Sequence, residues 1–192
     1  MRKSRTETAE AKARIVSNAS RLFLTEGICS VGTREIMSAS GIAQGGFYRH
    51  FASKEQLLEA AYREILDDLF MMFEKRTAGM AARKALKTII TLYLSQSPSR
   101  SEVELCPLAM LGSELKHTSE TTRNMAILGY ERFVGLLETH LIKMEKPHPR
   151  ALATAMSSAL VGAVTLANVA PRKTTAQQIL KNTREYLLLE ID

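Results

Sequence analysis

The chain has 192 residues, 45% of them hydrophobic, with no Trp and only five Pro; this excludes long disorder and leaves enough apolar side chain for a packed core. The formal net charge is +6 and most of the surplus sits at one end, where residues 1–54 carry nine Lys and Arg against four Glu. Concentrated positive charge suits a polyanionic partner, although a solvated basic surface gives the same count.

The apolar spacing is helical from end to end, and no segment alternates cleanly with β-branched enrichment, so the expected fold is all-α with about nine helices. Ile15, Ala19, Leu22 and Phe23 define the buried face of a first helix over residues 6–26, closed by Gly27. Thr33 is a suitable N-cap for a second helix that stops at Gly41, with Glu35 placed to favour the helix dipole. A third, short helix covers residues 44–50. Ser53 and Gln56 form a capping box for a long fourth helix whose apolar face holds Leu58, Ala61, Tyr62, Ile65, Leu69 and Phe73. Further helices are expected over 81–95, 107–117, 119–144, 149–168 and 174–190, with Pro98, Pro107, Pro147, Pro149 and Pro171 at their edges. Residues 151–170 carry no charge and are long enough to span a bilayer, but their Ala, Ser, Thr and Gly content suits a buried helix better.

The segment from Thr33 to Phe51 is the most informative. Two short helices meet at Gly41, and Ile36, Ile42, Phe47 and Phe51 are spaced to lock them together, which is the sequence form of a helix-turn-helix. Gly45 and Gly46 each cost about 1 kcal/mol of helix propensity relative to Ala. That cost makes sense where the backbone must approach DNA closely; a loose surface hairpin is the plainer alternative. Lys54 stands in the first turn of the fourth helix, where the dipole disfavours a cation unless a phosphate shares the site.

The run TREIMSASGIAQGGFYRHFASKEQLL, Thr33 to Leu58, resembles the TetR family of bacterial transcription regulators. The shared pattern is a Thr opening the second helix, a Gly–aliphatic turn, a Gly–x–aromatic–Tyr–x–His–Phe recognition segment and a Ser–Lys–Glu helix start. The resemblance implies a DNA-binding domain over residues 1–54 and a helical ligand-binding and dimerisation domain over 55–192. It implies phosphate contacts from Thr33, Arg34 and Lys54. Gln44, Gly45 and Gly46 would start the recognition helix at the groove, followed by Tyr48, Arg49 and His50 against phosphates or base edges. Ala43 departs from the pattern, because a Ser commonly caps the recognition helix there, so a less ordered helix is expected. The implied function is that of a repressor released from palindromic double-stranded DNA by a small-molecule effector.

In the body, Tyr62, Phe70, Met71, Phe73, Met110, His117, Met125, Tyr130 and Phe133 are large or adaptable side chains that would line an effector pocket or simply fill the core, and His117 and Asn168 could orient a ligand. Ala151, Ala155, Ser158, Ala159 and Gly162 form a stripe of small residues that would let the last two helices pack as a homodimer, with Ile179, Tyr186 and Leu187 opposite; packing within one chain is the alternative. Cys106 precedes Pro107 at a helix start, where a lowered thiol pKa would suit a redox or electrophile sensor, or it is a small buried residue. Cys29 is expected to pack in the first interhelical loop. Two cysteines make no disulfide framework, and no apolar leader follows the basic N-terminus, so a cytoplasmic setting without membrane insertion is expected. His50, His117, His140 and His148 lack metal-ligand spacing, and no HExxH, P-loop, GxSxG or dinucleotide-binding glycine set occurs. No cofactor, metal or catalytic residue is therefore expected.

Overall fold

A computed structural model describes residues 5–95 and 106–191. Among them are α1 (Arg5–Glu26), α2 (Thr33–Ala39), a 3₁₀ helix (Gln44–Arg49), α3 (Lys54–Thr77), α4 (Ala82–Leu94), α5 (Pro107–Leu115), α6 (Glu120–Lys143), α7 (Pro149–Val169) and α8 (Lys173–Ile191), with no strand among the described residues. Pro98 lies outside the described residues.

The helix boundaries follow local chemistry. Gly27 adopts φ +90°, and its amide donates to the Phe23 carbonyl at 3.0 Å to close α1. A side chain there would be strained by φ and would also meet the Glu114 carboxylate at 2.6 Å. Thr33 does not cap α2. Gly32 occupies the cap position without a side-chain bond, and Thr33 is the first helical residue. Gly41, at φ +67°, makes the turn that follows. The third element is 3₁₀ rather than α. Ala43 supplies no cap, and two successive glycines give the segment too little propensity to complete an α-helical turn on its own. Ser53 accepts from the Gln56 amide at 3.1 Å, while the Gln56 side chain accepts from Ala52 N at 2.7 Å. The expected capping box thus reaches back one residue further than its usual form.

Two hydrophobic cores divide within α3. The first gathers Ile15, Phe23, Ile36, Met37, Phe47, Phe51, Leu57, Leu58, Tyr62 and Ile65, and takes in Leu111 and Leu115 from α5 and Ala126 from α6. The second begins at Leu69 and Phe73, and runs through Leu86, Ile89 and Ile90 of α4, Val134 and Leu137 of α6, and Leu160 of α7 to Leu180 and Leu187 of α8. Its centre is an aromatic stack in which Phe133 lies between Phe73, at 5.8 Å, and Tyr93, at 5.1 Å.

Helix α7 is long and apolar enough by composition to cross a membrane. In this fold one side of it, Ala153, Met156, Leu160, Ala163, Val164 and Ala167, is buried against the body. Thr165 Oγ1 also donates to the Ala109 carbonyl of α5 at 3.1 Å.

The aromatic stack supplies a stability test. Phe73 is fully buried, so Phe73→Ala removes a stacked ring and leaves a cavity, and should cost about 3–5 kcal/mol. Urea denaturation is expected to show a lowered midpoint with an unchanged slope.

Candidate nucleic-acid interface

The 3₁₀ helix is held from below and open above. Phe47 and Phe51 are buried in the first core, and their rings pack 6.0 Å apart. Tyr48, between them in sequence, is 80% exposed and meets Phe47 edge-on. Arg34, Gln44, Gly45 and Arg49 are exposed, while Thr33 and His50 are half-buried. These residues form one ridge carrying two guanidinium groups, a phenol and an amide, in a region rich in positive charge.

The two glycines have different roles. At Gly46 an added Cβ would meet Ile42 Cγ2 at 3.3 Å and Met37 Cε at 3.6 Å, whereas at Gly45 it meets nothing within 4 Å. Gly46 therefore lets the 3₁₀ helix settle onto α2. Gly45 faces outward, and its lack of a side chain leaves the backbone uncovered.

Lys54, expected to anchor phosphate, has partners within the chain. Its Nζ donates to the Ile28 carbonyl at 2.5 Å and lies 5.9 Å from the Phe23 ring centre. The cation thus ties the start of α3 to the α1–α2 loop, which offsets the unfavourable dipole from within the chain.

Lys54 belongs to a polar junction between the helix-turn-helix and the body. Glu114, at the end of α5, accepts from the Cys29 amide at 2.7 Å. Glu55, in the first turn of α3, accepts from Ser119 N at 3.1 Å and Thr122 Oγ1 at 2.6 Å at the start of α6. Partial burial pushes both carboxyls up. In Glu114 the Cys29 and Ile28 hydrogen bonds and the Lys54 charge outweigh it; in Glu55 the Thr122 and Ser119 hydrogen bonds do. Both end below the usual carboxylate value. Cys29 is exposed, contrary to expectation. His117 is exposed beside the same junction, lining a cleft of about 200 Å³ with Lys54, Glu55 and Glu114. No sequence signal marks Glu114 as a junction residue; Glu55 enters the sequence reading only as the Glu of the Ser–Lys–Glu helix start.

A second, enclosed cavity lies among α3, α4, α5, α6 and α7. Of the expected pocket residues, Tyr62, Phe70, Tyr130 and Phe133 line it, joined by Leu66, Leu69, Tyr93, Cys106, Pro107 and Leu108. It is nearly closed, with about 20 Å³ of free space. Phe73 lies in the core behind it. Met110 and Met125 pack against the first core instead, Met71 is exposed, and Asn168 is exposed with its amide against the Met110 sulfur at 2.9 Å. The Tyr130 hydroxyl bonds Ser158 Oγ at 3.0 Å and so holds α6 to α7. The Tyr62 hydroxyl is buried without a partner among the described residues, a state that costs about 1–3 kcal/mol, whereas the buried Tyr93 hydroxyl faces the Cys106 thiol.

The expected lowering of the Cys106 thiol is reversed. Burial pushes its pKa up, and this outweighs the Tyr93 hydroxyl and the Ala109 and Leu108 amides at the helix start, which pull it down. Helix geometry alone predicted the opposite sign because it omits desolvation.

On the far side of the body, Ala151, Ala155 and Ser158 of α7 are exposed, Ala159 and Gly162 half-buried, and Leu166 and Val169 continue the same apolar face. Tyr186 and Leu189 of α8 are exposed beside it, and Ile179 is half-buried. Leu187 was expected on this face; it points inward and belongs to the second core.

Comparison with known proteins yields consistent matches. Residues 15–61 match the model for bacterial regulatory proteins of the tetR family, and residues 82–181 match the LmrA/YxaF-like transcriptional regulator C-terminal domain. The chain is 31% identical over 129 residues to the HTH-type transcriptional repressor KstR2 of Rhodococcus jostii, covering 66% of this chain and 56% of that protein. It is 24% identical to the HTH-type transcriptional regulator LmrA of Bacillus subtilis over 86% of this chain and 90% of that one. The matched part thus spans little more than half of the first relative and nearly all of the second. A TetR transcriptional regulator from Chloroflexus aurantiacus superposes with a TM-score of 0.83 at 24% identity, covering 97% and 96% of the two chains.

Two tests follow from this geometry. Gly46→Ala should lower stability by about 0.5–1.5 kcal/mol through the Ile42 contact, whereas Gly45→Ala, which meets nothing, should raise the denaturation midpoint, through up to about 1 kcal/mol of helix propensity, and yet weaken DNA binding; paired denaturation and gel-shift measurements check both. Glu55 and Glu114 have depressed folded pKa values, so the stability they contribute is present above the ordinary carboxylate range and is lost as pH falls through it and below. A Glu55→Gln/Glu114→Gln double variant should therefore lose less Tm than wild type between about pH 5 and pH 3.

Proposed function

Because the chain belongs to the TetR family of bacterial regulatory proteins, we propose that it is a repressor that holds a palindromic operator as a homodimer and releases it when a small neutral effector enters the body. The single observation that carries this reading is α3. Its first turn abuts the recognition segment and joins the polar junction, while Tyr62, Leu66, Leu69 and Phe70 on the same helix wall the enclosed cavity.

DNA contact falls to residues 33–50, at the outward tip of the 1–54 unit. Arg34 and Thr33 reach backbone phosphate, and Gln44, Tyr48 and Arg49 reach the major groove and its flanking phosphates, with His50 behind them. Gly45 admits the backbone close to the duplex. Lys54 acts from one layer back by fixing the α1–α2 loop. Dimerisation through the open α7–α8 face places two recognition segments about one DNA turn apart, or a small multiple of it, which gives the operator its palindrome. The body, residues 55–192, senses and pairs; it performs no catalysis. A cytoplasmic location follows from access to chromosomal DNA.

Release works through two helices. An effector that widens the nearly closed cavity displaces its α3 wall and the first turn of α5, where Cys106, Pro107 and Leu108 sit. The other end of α5 carries Glu114, which grips the α1–α2 loop. Both movements therefore arrive at the helix-turn-helix and change the spacing of the two recognition segments. A coupling of about 1–3 kcal/mol suffices, provided that the effector binds the DNA-incompetent state better by that amount.

A gel shift against DNA upstream of the chain's own coding region tests the reading. Sequence-selective binding that weakens steeply with salt is expected, and Arg34→Ala or Arg49→Ala should each reduce affinity about tenfold or more without changing the circular dichroism spectrum. Equal affinity for unrelated DNA would replace the operator reading with a non-specific architectural binder.

A further inference from the structure

We infer that Leu66 of α3, seated on Gly129 of α6, is the contact through which the body sets the helix-turn-helix. Gly129 is a positioning residue, and lifting Leu66 off it moves α3 out of its operator-binding position. This rests on the release mechanism proposed above and names the contact on which it turns.

Helices α3 and α6 run side by side in the same direction. Glu55 bonds Ser119 and Thr122 at their starts, and Asp67 pairs with Arg132 at 3.2 Å, about three turns further along α3. Leu66 and Gly129 meet beside that second tie. Gly129 is buried, and a Cβ added to it would lie 2.8 and 2.9 Å from the two Leu66 methyls and 3.4 Å from Leu66 Cγ. The other glycines of the body helices have no such neighbour. At Gly135 and Gly162 an added Cβ meets nothing within 4 Å, and at Gly112 it reaches only Leu108 Cδ1, at 4.0 Å. Glycine is a poor helix former; the close approach of Leu66 accounts for its place inside α6.

Leu66 has little freedom to give way. Its Cγ and both methyls lie against the added atom, so moving one methyl does not clear it, and a helix confines leucine χ1 to about two wells. The cavity alongside, which Leu66 and Gly129 both line, is nearly closed, with about 20 Å³ of free space.

The role of the contact follows from its place. Leu66 packs against both hydrophobic cores, and no other described residue is shared between them. A molecule that parts α3 from α6 at the cavity therefore acts on a side chain belonging to both cores. Close-packed interiors pass strain on, so the core beneath the recognition segment rearranges with that of the body. The recognition segment itself supplies no residue to the cavity and receives the change through the first core. A methyl group at position 129 drives the same wedge from within the chain, with no effector present.

Gel shifts with DNA upstream of the chain's own coding region, and amide hydrogen exchange on the DNA-free protein, test this without added effector. The samples are the full chain, Gly129→Ala, Leu66→Ala, the double variant and Gly135→Ala, with thermal melts to establish folding. Gly129→Ala should weaken operator binding about tenfold and lower amide protection over residues 27–32 and 44–50. In the Leu66→Ala background the same substitution should change neither, because the atoms it strikes are gone. Gly135→Ala, on the same helix with open space around it, should match wild type. Wild-type affinity and protection in Gly129→Ala overturn the inference. So does an equal loss when Gly129→Ala is added to Leu66→Ala, or an equal loss in Gly135→Ala, since either assigns the effect to α6 at large. Should Gly129→Ala not fold, Leu66→Ala decides: an unseated α3 should bind operator several-fold more weakly with lower protection, and unchanged values overturn the inference. A wild-type chain that binds no operator removes the regulator reading, and amide protection still decides whether the contact reaches the helix-turn-helix.

Discussion

Helix α3 is packed into two hydrophobic cores at once, and the rest of the molecule is arranged around that constraint. Through Leu57, Leu58, Tyr62 and Ile65 it closes the core under the helix-turn-helix; through Leu69, Phe70 and Phe73 it closes the core of the body. The change of core falls at the cavity, where Tyr62, Leu66, Leu69 and Phe70 are all lining residues. Helix α5 supplies a second, shorter connection: its start lines the cavity and Glu114 at its end holds the α1–α2 loop.

The recognition segment has little structure of its own. It lacks a side-chain cap, contains two successive glycines and reaches only 3₁₀ geometry. Phe47 and Phe51, anchored below, keep it in place, and Gly46 lets it press against Ile42 and Met37. Local propensity is thereby exchanged for an uncovered backbone at Gly45 and an outward Tyr48. Such an element depends on tertiary packing for its order, which makes its position responsive to the helices beneath it.

Desolvation determines the chemistry inside the body. It reverses the expected effect of the helix start on Cys106 and pushes the Tyr62 and Tyr93 phenols up; among the described residues, those that line the enclosed space carry no charge. On the opposite side of the body, α7 uses its small residues differently. It buries one face against the second core and leaves Ala151, Ala155 and Ser158 uncovered beside Tyr186 and Leu189. An apolar composition that resembles a membrane span belongs here to a helix with one face in the core and the other, with Leu166 and Val169, left exposed.

The sequence by itself determined the all-helical class, the order of the helices to within a residue or two, and the helix-turn-helix over Thr33 to Phe51, while Arg34, Gln44, Tyr48 and Arg49 were singled out by the family resemblance. These are legible because periodicity, glycine stops and serine caps act between residues three or four apart. Only the tertiary structure decided the partners of Lys54, the inward turn of Leu187, the division of labour between Gly45 and Gly46, and which pocket candidates meet. Tyr62, Phe70, Tyr130 and Phe133 converge while Met110, His117, Met125 and Asn168 lie elsewhere, and Glu114, with no local signal, proves to hold the loop beside Cys29, 85 residues away. Each of these depends on how one helix rotates against another, and that rotation is set by the summed packing of the whole chain, which no local window of sequence contains.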